Sequence, residues 1–490
     1  MSWANFFRGV AVVGIVGVGG CTVGPDYHRP AAHAAVAWSS SVTNGLTDSA
    51  SAASAWWTSF NDTELDSLIQ RAARSNLDLR VAEARLRQAR AVREGSAADF
   101  LPSLDASSSF ARAKQSQNQP LIGGLPLPSN LFEYSVYNAG FDASWEIDIF
   151  GGKRRALEAT TAEWEGAMEA RNDAMVSLLA EVARNYVELR GSQCRLEIAQ
   201  RNLKLQEEDL ELTRDRFQGG VANELDVTRS AALLAGMHAA IPPLDTAVRT
   251  AMYSIAVLLG QEPGELVAEL SPPMPVPPAP PEVPIGLPSD LLRRRPDVRR
   301  AERQLAAETA RIGVAKSDWY PKLSLTGDVG TESVSLSKWF QPGSLFWSVG
   351  PSLQWRALDF ARVRAEVRGQ TAVQEAAMAT YEKTVLISLQ EAENALVTYA
   401  QEQNRHRALA DEVAENQHSL DMADGLYAKG RVSFLDVLDV RRSLYQSEDQ
   451  LAVSDQAISL DLIALYKALG GGWETMTREP AKALSTASSP

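Results

Sequence analysis

Residues 168–226 read MEARNDAMVSLLAEVARNYVELRGSQCRLEIAQRNLKLQEEDLELTRDRFQGGVANELD. Met168, Met175, Val182, Leu189, Leu196, Leu203, Leu210 and Phe217 stand on a strict heptad step. A straight α-helix drifts by roughly 20° per heptad, so an unbroken stripe of this kind predicts a left-handed supercoil against neighbouring helices. The faces between are charged, as in Glu207-Glu208-Asp209 and Arg214-Asp215-Arg216. The stripe stops at Gln218-Gly219-Gly220, and Asn223 offers a polar cap for a second helix, so the stretch predicts a helical hairpin. Upstream, nothing interrupts the helix until Gly151-Gly152. That predicts a helix of about 65 residues, or about 98 Å, where an ordinary globular helix has about 11–12 residues. Taken alone, the stretch fits a filamentous coiled coil equally well.

The rest of the chain changes that reading, because the whole pattern occurs twice. Asn76-Leu77-Asp78-Leu79-Arg80 matches Arg295-Pro296-Asp297-Val298-Arg299, and Phe100-Leu101-Pro102 matches Trp319-Tyr320-Pro321. Gly140, Trp145 and Phe150 match Gly350, Trp355 and Phe360; Phe217, Gly220 and Leu225-Asp226-Val227 match Tyr427, Gly430 and Leu435-Asp436-Val437. The stripe recurs from Met378 to Tyr427. The spacing is ~219 residues early in the repeat and ~210 later, which puts the extra residues of the first copy in the Pro/Gly/Gln-rich stretch 115–130. Each copy reads as helix, strand, loop, strand, long helix, turn, helix. The first helices are expected at 63–98, capped by Asn61 or Asp62, and at 289–317. The domain reading is a first repeat at 61–262, a Pro-rich extended linker at 263–288, a second repeat at 289–472 and a disordered polar tail at 473–490.

Four segments alternate with the period of a strand. Tyr137, Ala139, Phe141, Ala143, Trp145 and Ile147 share one face, opposite Asn138, Gly140, Asp142, Ser144 and Glu146. Leu345, Trp347, Val349, Pro351, Leu353 and Trp355 repeat the pattern, and strands beginning at Leu101 and Pro321 complete the set. Segments of about 10 residues with aromatic ends match tilted strands crossing an outer membrane. A soluble sandwich face would alternate in the same way. Four strands cannot close a barrel, and lipid does not tolerate an open edge, so the chain must oligomerise: two copies give eight strands, three give twelve and room for a lumen.

Composition narrows the function further. The formal net charge of −13 argues against a nucleic-acid partner. Two cysteines and five scattered histidines supply neither a disulfide framework nor metal-ligand spacing. No nucleotide loop or nucleophile triad stands out, so no enzyme, cofactor or metal is expected. Residues 1–20 read as an export signal, with Arg8 ahead of an apolar run from Gly9. Val18-Gly19-Gly20-Cys21 resembles a lipobox, which makes Cys21 the candidate lipid-attachment site and 21–60 a lipid-anchored strap. Thr22, rather than Asp, follows it and favours sorting to the outer membrane.

The chain resembles the outer-membrane factors of bacterial tripartite efflux systems, TolC-like and OprM-like, within their NodT-like lipoprotein subgroup. The resemblance is carried by Cys21-Thr-Val-Gly-Pro-Asp-Tyr-His-Arg-Pro30, Trp56-Trp57 with Phe60-Asn61-Asp62, Ile241-Pro242-Pro243-Leu244, Leu287–Asp297 and Trp319-Tyr320-Pro321. It implies an α+β membrane protein: a homotrimer with a twelve-stranded outer-membrane β-barrel, a twelve-helix periplasmic α-barrel and a mixed equatorial belt. It implies a passive duct for small toxic molecules, with a periplasmic adaptor protein and an inner-membrane pump as partners. By resemblance, Asp436 and Asp439 form carboxylate rings at a periplasmic gate, Tyr427 and Asp226 join the bonds that hold it shut, and Gly219, Gly220, Val221, Gly430 and Arg431 form the adaptor-contact tip.

Some of this chemistry stands without the family. Asp436 and Asp439 share a helix face. Under threefold symmetry six carboxylates surround one axis, and charges ~8 Å apart at an effective dielectric of about 40 repel by about 1 kcal/mol. Asp436 also fits a plain role as an acid complementing a helix N-terminus. Pro242-Pro243 is expected to kink the last helix of the first copy, whereas the matching Ala452-Val453 is not. The alternative to a duct is a pore-less periplasmic coiled-coil adaptor or structural lipoprotein, which would have no use for lipid-facing strands.

Overall fold

The computed structural model describes residues 22–30, 37–39, 45–47, 53–114, 116 and 133–476. Cys21, the export signal, most of the 115–132 stretch and the tail beyond 476 lie outside the described residues. In the first copy the elements are α1 (Thr63–Ser75), α2 (Leu77–Ala98), β1 (Ser103–Lys114), β2 (Glu133–Ile147), α3 (Gly152–Gln218) and α4 (Glu224–Leu258). The second copy gives α5 (Pro288–Arg294), α6 (Pro296–Ser317), β3 (Lys322–Ser333), β4 (Leu345–Gln354), α7 (Phe360–Ala428) and α8 (Phe434–Ala468) in the same order. α3 has 67 residues and α7 has 69, about 100 Å each at 1.5 Å per residue.

The chain divides into two compact units. One comprises Arg87–Glu165, Glu302–Ala379 and the N-terminal segment ending at Arg29. Its sheet is an antiparallel meander ordered β1-β2-β3-β4, so β1 and β4 are both open edges. The register assembles apolar rows across it: Leu104↔Ala143↔Gly327↔Val349, then Ala106↔Phe141↔Val329↔Trp347. This face is bare in the single chain, with Trp347 71% and Leu353 66% exposed. The other face carries Asp105↔Asp142↔Asp328↔Ser348 in one row. Where sheet meets helix, two indoles repeat one device. Trp145 Nε1 donates to the Phe100 carbonyl at 2.9 Å and Trp355 Nε1 to the Trp319 carbonyl at 3.1 Å. Each tryptophan thereby pairs a carbonyl freed where the preceding helix ends.

The other unit comprises Pro30–Leu86, Gly166–Ala301 and Thr380–Pro490. Here the stripe is core: Met175, Val182, Leu189, Val385, Ala392 and Tyr399 are buried. The stripe comes to the surface toward the hairpin end of α3, where Phe217 is exposed. Arg190 is fully buried. Its guanidinium donates to Glu64 at 2.7 Å, Gln193 at 2.8 Å and the Pro272 carbonyl at 2.9 Å. It also lies over the Tyr186 ring, whose hydroxyl donates to the capping carboxylate of Asp62. Burial pushes the Tyr186 hydroxyl well above the usual phenol range.

Several expectations are corrected. The first helix of each copy is broken rather than continuous, at Asn76 and at Arg295, where the backbone leaves helical geometry. Both breaks are held by a bond to the end of a later helix. Asn76 Nδ2 donates to the Leu258 carbonyl at 2.8 Å, and Arg295 Nη1 to the Ala468 carbonyl at 3.0 Å. Of the two candidate caps, Asp62 accepts from Glu64 and Leu65, while Asn61 takes a left-handed φ of 51°. The linker is not a plain extended spacer. It contains a helical turn, Val267–Leu270, and a two-residue strand, Val283–Pro284, that pairs in parallel with Leu46–Thr47; Leu270 and Val283 are fully buried. Trp473–Met476, assigned to the tail, is a helical turn. The strap ends in a 3-10 segment, Ala53–Phe60, where Trp56 stacks on Tyr466 at 5.3 Å. Pro242 and Pro243 stay inside α4.

Candidate functional site: the paired hairpin tips

The α3–α4 and α7–α8 turns have one backbone design. Gly220 and Gly430 take φ of 72° and 69°, a left-handed conformation that favours glycine. A Cβ at either would meet open space, so conformation alone selects the residue. In the first turn, the Val221 amide bonds back to the Arg216 carbonyl and Gly220 to Phe217; in the second, Arg431 bonds to Leu426 and Gly430 to Tyr427. These are Schellman closures, which satisfy the last free carbonyls of the helix. Both following helices open on a capping box. Asn223 Oδ1 accepts from the Asp226 amide while Asp226 accepts from the Asn223 amide, and Ser433 and Asp436 make the same exchange.

Side chains then distinguish the tips. Asp436 also accepts from the Ser433 hydroxyl at 2.8 Å, and these bonds from the Ser433 side chain and backbone hold its carboxyl below the usual range. It therefore stays ionised at neutral pH. Asp439 pairs with Arg442 at 3.2 Å. Within one chain, then, Asp436 performs the helix-start role that the sequence allowed, and it stands with Asp439 on the first turns of α8. Asp226 and Tyr427 are not brought together by any bond in the single chain. Asp226 belongs to its capping box, while the Tyr427 ring packs against Phe434 at 5.5 Å and under the Arg216 guanidinium at 4.6 Å. The Tyr427 hydroxyl is buried and has no hydrogen-bond partner among the described residues. The Arg431 side chain forms no ion pair among the described residues.

A ladder of ion pairs that the sequence reading missed joins α3 to α8 behind the tips. Arg195 holds Asp449 through two bonds of 2.7 and 3.1 Å, Arg201 meets Glu448 at 2.7 Å, and Arg441 binds Asp209. Arg441 also reaches Asp424 on α7 at 3.4 Å. No heptad rule shows the α3–α8 pairs, because their partners lie more than 200 residues apart. Farther from the tips, a cavity of about 650 Å³ is lined by Asp173, Arg295, Asp297, Glu391, Asp461 and Lys467 among others. Burial, and then the nearby Glu402 charge, push the Asp461 carboxyl up to about 6. Among the described residues no group of side chains could hold a metal ion.

The chain belongs to the outer membrane efflux protein family, which matches residues 68–261 and 287–471. It is 31% identical over 460 residues to nodulation protein T of Rhizobium leguminosarum bv. trifolii, covering 94% of this chain and 96% of that one. It is 32% identical over 465 residues to the antibiotic efflux pump outer membrane protein ArpC of Pseudomonas putida, covering 94% of each. Among solved structures it is similar to the outer-membrane channel OprN, with a TM-score of 0.85 and 39% identity over 93% of this chain and all of that one. It is also similar to the open state of the Neisseria gonorrhoeae MtrE channel, with a TM-score of 0.79 and 29% identity over 92% and 99%. The protein is thus an outer-membrane component of an efflux system, with the chain fold of an outer-membrane channel.

Proposed function

We propose that three copies close a twelve-stranded barrel and a twelve-helix tube around one lumen. The duct is passive and is fed by an inner-membrane pump through a periplasmic adaptor. The observation that carries this reading is the four-stranded sheet, whose outer face is apolar and whose edges β1 and β4 are both unpaired. An open edge is not viable in lipid, so β4 must meet β1 of the next copy.

The internal repeat supplies the register of that seam. The two hairpins are equivalent pair by pair: the offsets that carry Pro102 to Pro321 and Trp145 to Trp355 also carry Ser103↔Ser144 onto Lys322↔Gln354. Applied to the β2–β3 junction, they carry Ala143↔Gly327 onto Leu353 against Ser108 of the next copy, and Ser144↔Thr326 onto Gln354 against Ser107. Apolar-face residues then meet apolar-face residues, as a sheet requires. The row of Asp105, Asp142 and Asp328 lines the lumen.

At the other end, Asp436 and Asp439 from three copies ring the gate. The unpartnered Tyr427 hydroxyl awaits a bond from the neighbouring tip, with Asp226 as the acceptor. Gly219, Gly220, Val221, Gly430 and Arg431 present the tip to the adaptor, and Cys21 carries the lipid anchor.

Double-cysteine crosslinking tests the duct. Leu353→Cys with Ser108→Cys, and Gln354→Cys with Ser107→Cys, place Cα atoms about 4.5–5.5 Å apart, within disulfide reach. Oxidised outer membranes should give a covalent trimer from both pairs and none from the slipped pair Leu353→Cys with Phe110→Cys. A monomer in every case overturns the closed barrel, and a trimer from the slipped pair alone overturns the register.

A further inference from the structure

The segment just after Cys21 is fastened to the protein more tightly than a flexible tether would be. Arg155, in the first turn of α3, has a buried side chain, yet four of its contacts are to charges or carbonyls. Its Nε donates to the Val23 carbonyl at 3.2 Å and its Nη2 to the Gly24 carbonyl at 3.4 Å and to Asp26 at 2.6 Å. Nη1 reaches back to Glu158 at 2.8 Å. The Val23 amide donates to the Phe150 carbonyl at 3.1 Å. The fit is close on both sides. Gly24 takes a φ of +106°, and a Cβ there would collide with the Cα of Gly313. A Cβ on Gly151 would stand 2.6 Å from the Thr22 side chain. Farther along, the Tyr27 hydroxyl donates to Glu302 at 3.1 Å and Arg29 pairs with the same carboxylate at 2.9 Å. Arg155 also holds the Asp26 carboxyl below the usual range, so this clasp stays charged at neutral pH.

We propose that Thr22–Arg29 is a clip, with Arg155 as its positioning residue, that seats the lipidated Cys21 at one fixed point on the periplasmic rim of the barrel. The proposal rests on the reading of Cys21 as the lipid-attachment site. Thr22, the residue bonded to the anchored cysteine, lies against Gly151. Without the clip, the eight residues from Thr22 to Arg29 would let the acyl chains wander by up to about 28 Å at 3.3–3.6 Å per residue. The clip instead fixes Val23, two residues on from the anchor, at the Phe150 carbonyl, and the Phe150 ring stacks on Tyr320 at 4.5 Å. Aromatic residues of this kind settle at the membrane–water boundary. The anchor therefore does more than tether the chain. It adds its acyl chains to the barrel wall at the depth where the sheet must end, and it orients the sheet as it enters the bilayer.

A double-mutant cycle separates this from an ordinary packing role. Arg155→Ala opens the clip from the helix side, and Gly24→Val opens it from the strap side without touching α3. Each is made in the full chain and in a Cys21→Ser background exported by a non-lipoprotein signal. The readouts are the mass of the N-terminal peptide and the yield of heat-resistant trimer in outer membranes. With Cys21 present and acylated, both clip variants should lower trimer yield severalfold; with Cys21→Ser, neither should lower it further. An equal loss in both backgrounds makes Arg155 a packing residue and overturns the clip, as does no loss in either. An unmodified Cys21 in the parent protein overturns the lipid-anchor reading instead.

Discussion

The two hairpin tips share a backbone but not a chemistry. Both close through a left-handed glycine and reopen through a capping box. The first places its acids, Glu224 and Asp226, in the first turn of α4, whereas the second has Asp436 there and Asp439 three residues on, paired with Arg442. The same division holds farther along the helices. The breaks at Asn76 and Arg295 do the same job, each bonding a carbonyl at the end of a later helix. Around them the polar core differs. The buried Arg190 and its Tyr186 shelf occupy positions that become Ala400 and Leu396 in the second copy. Repetition has kept what the backbone needs and released what the side chains do: the first copy buries Arg190 in mid-helix, while the second buries its cation, Arg295, at the helix break itself.

The largest test of that contrast is Arg190→Ala. It leaves Glu64 and the Pro272 carbonyl without their cation, so it should cost about 3–5 kcal/mol and abolish heat-resistant trimer on gels. Ala400→Gly at the matching position should cost no more than ~1 kcal/mol. Next come the four helix-end glycines. Gly260 and Gly470 have φ of 70° and 69° like the tip glycines, but a Cβ there would meet the Ser75 carbonyl oxygen at 2.7 Å and Arg295 Cγ at 2.8 Å. Ala at either should cost more than the ~1–2 kcal/mol of left-handed strain expected at Gly220 or Gly430, seen as a larger drop in thermal midpoint. If the tip substitutions prove the more damaging, the tips are packed against something in the assembled protein.

Smaller effects sharpen the difference between the tips. Asn223→Ala and Ser433→Ala should each cost about 1 kcal/mol, because each removes one cap. The gate acids should alter conduction. Asp436→Ala with Asp439→Ala should raise single-channel conductance or relieve blockade by divalent cations, while Glu224→Ala in the first tip leaves both less changed. Planar-bilayer recording decides, and equal effects would mean that the copies share the gate. The smallest effect is pH-dependent. The Asp461 carboxyl sits at about 6 when folded, above its ordinary value of 3.8, so its neutral form favours folding. That contribution is complete below about 3.8 and is lost as the pH rises through about 6. Asp461→Asn should leave the thermal midpoint unchanged in acid and raise it at neutral pH, by on the order of 1 kcal/mol after solvent screening.

Much of this was legible in the residues because it depends on period and on repetition. The heptad from Met168 to Phe217 marked α3, the alternation from Tyr137 to Ile147 marked β2, and the glycines after Phe217 and Tyr427 marked both turns. The break at Arg295 is marked by Pro296, because proline disfavours helical geometry in the residue before it. The break at Asn76 carries no such mark: residues on both sides favour helix, and it is set by a carbonyl at Leu258 that only the folded chain brings near. The Pro-rich linker misled for a related reason: its prolines forbid a long helix, but they do not prevent Leu270 and Val283 from being buried. At the tip, the acids could be located from the sequence, whereas the arginine ladder behind them could not. Arg441 and Asp209 become neighbours through helix packing, which no local spacing encodes.

One dimension of the fold works as a ruler. α4 and α8 are both 35 residues long, bounded at each end by the same glycine turns. The reach of the tips is therefore written twice in every chain. A heptad inserted in each arm of one hairpin alone would push its tip about 10 Å past the other and leave a ring with alternating long and short teeth. To lengthen or shorten the conduit, an ancestor had to change both copies by whole heptads, so the length of such a tube is expected to vary in steps rather than continuously. The same rule tells a protein engineer that any resized duct must be edited in both arms of both hairpins, four places in each chain, in matched increments.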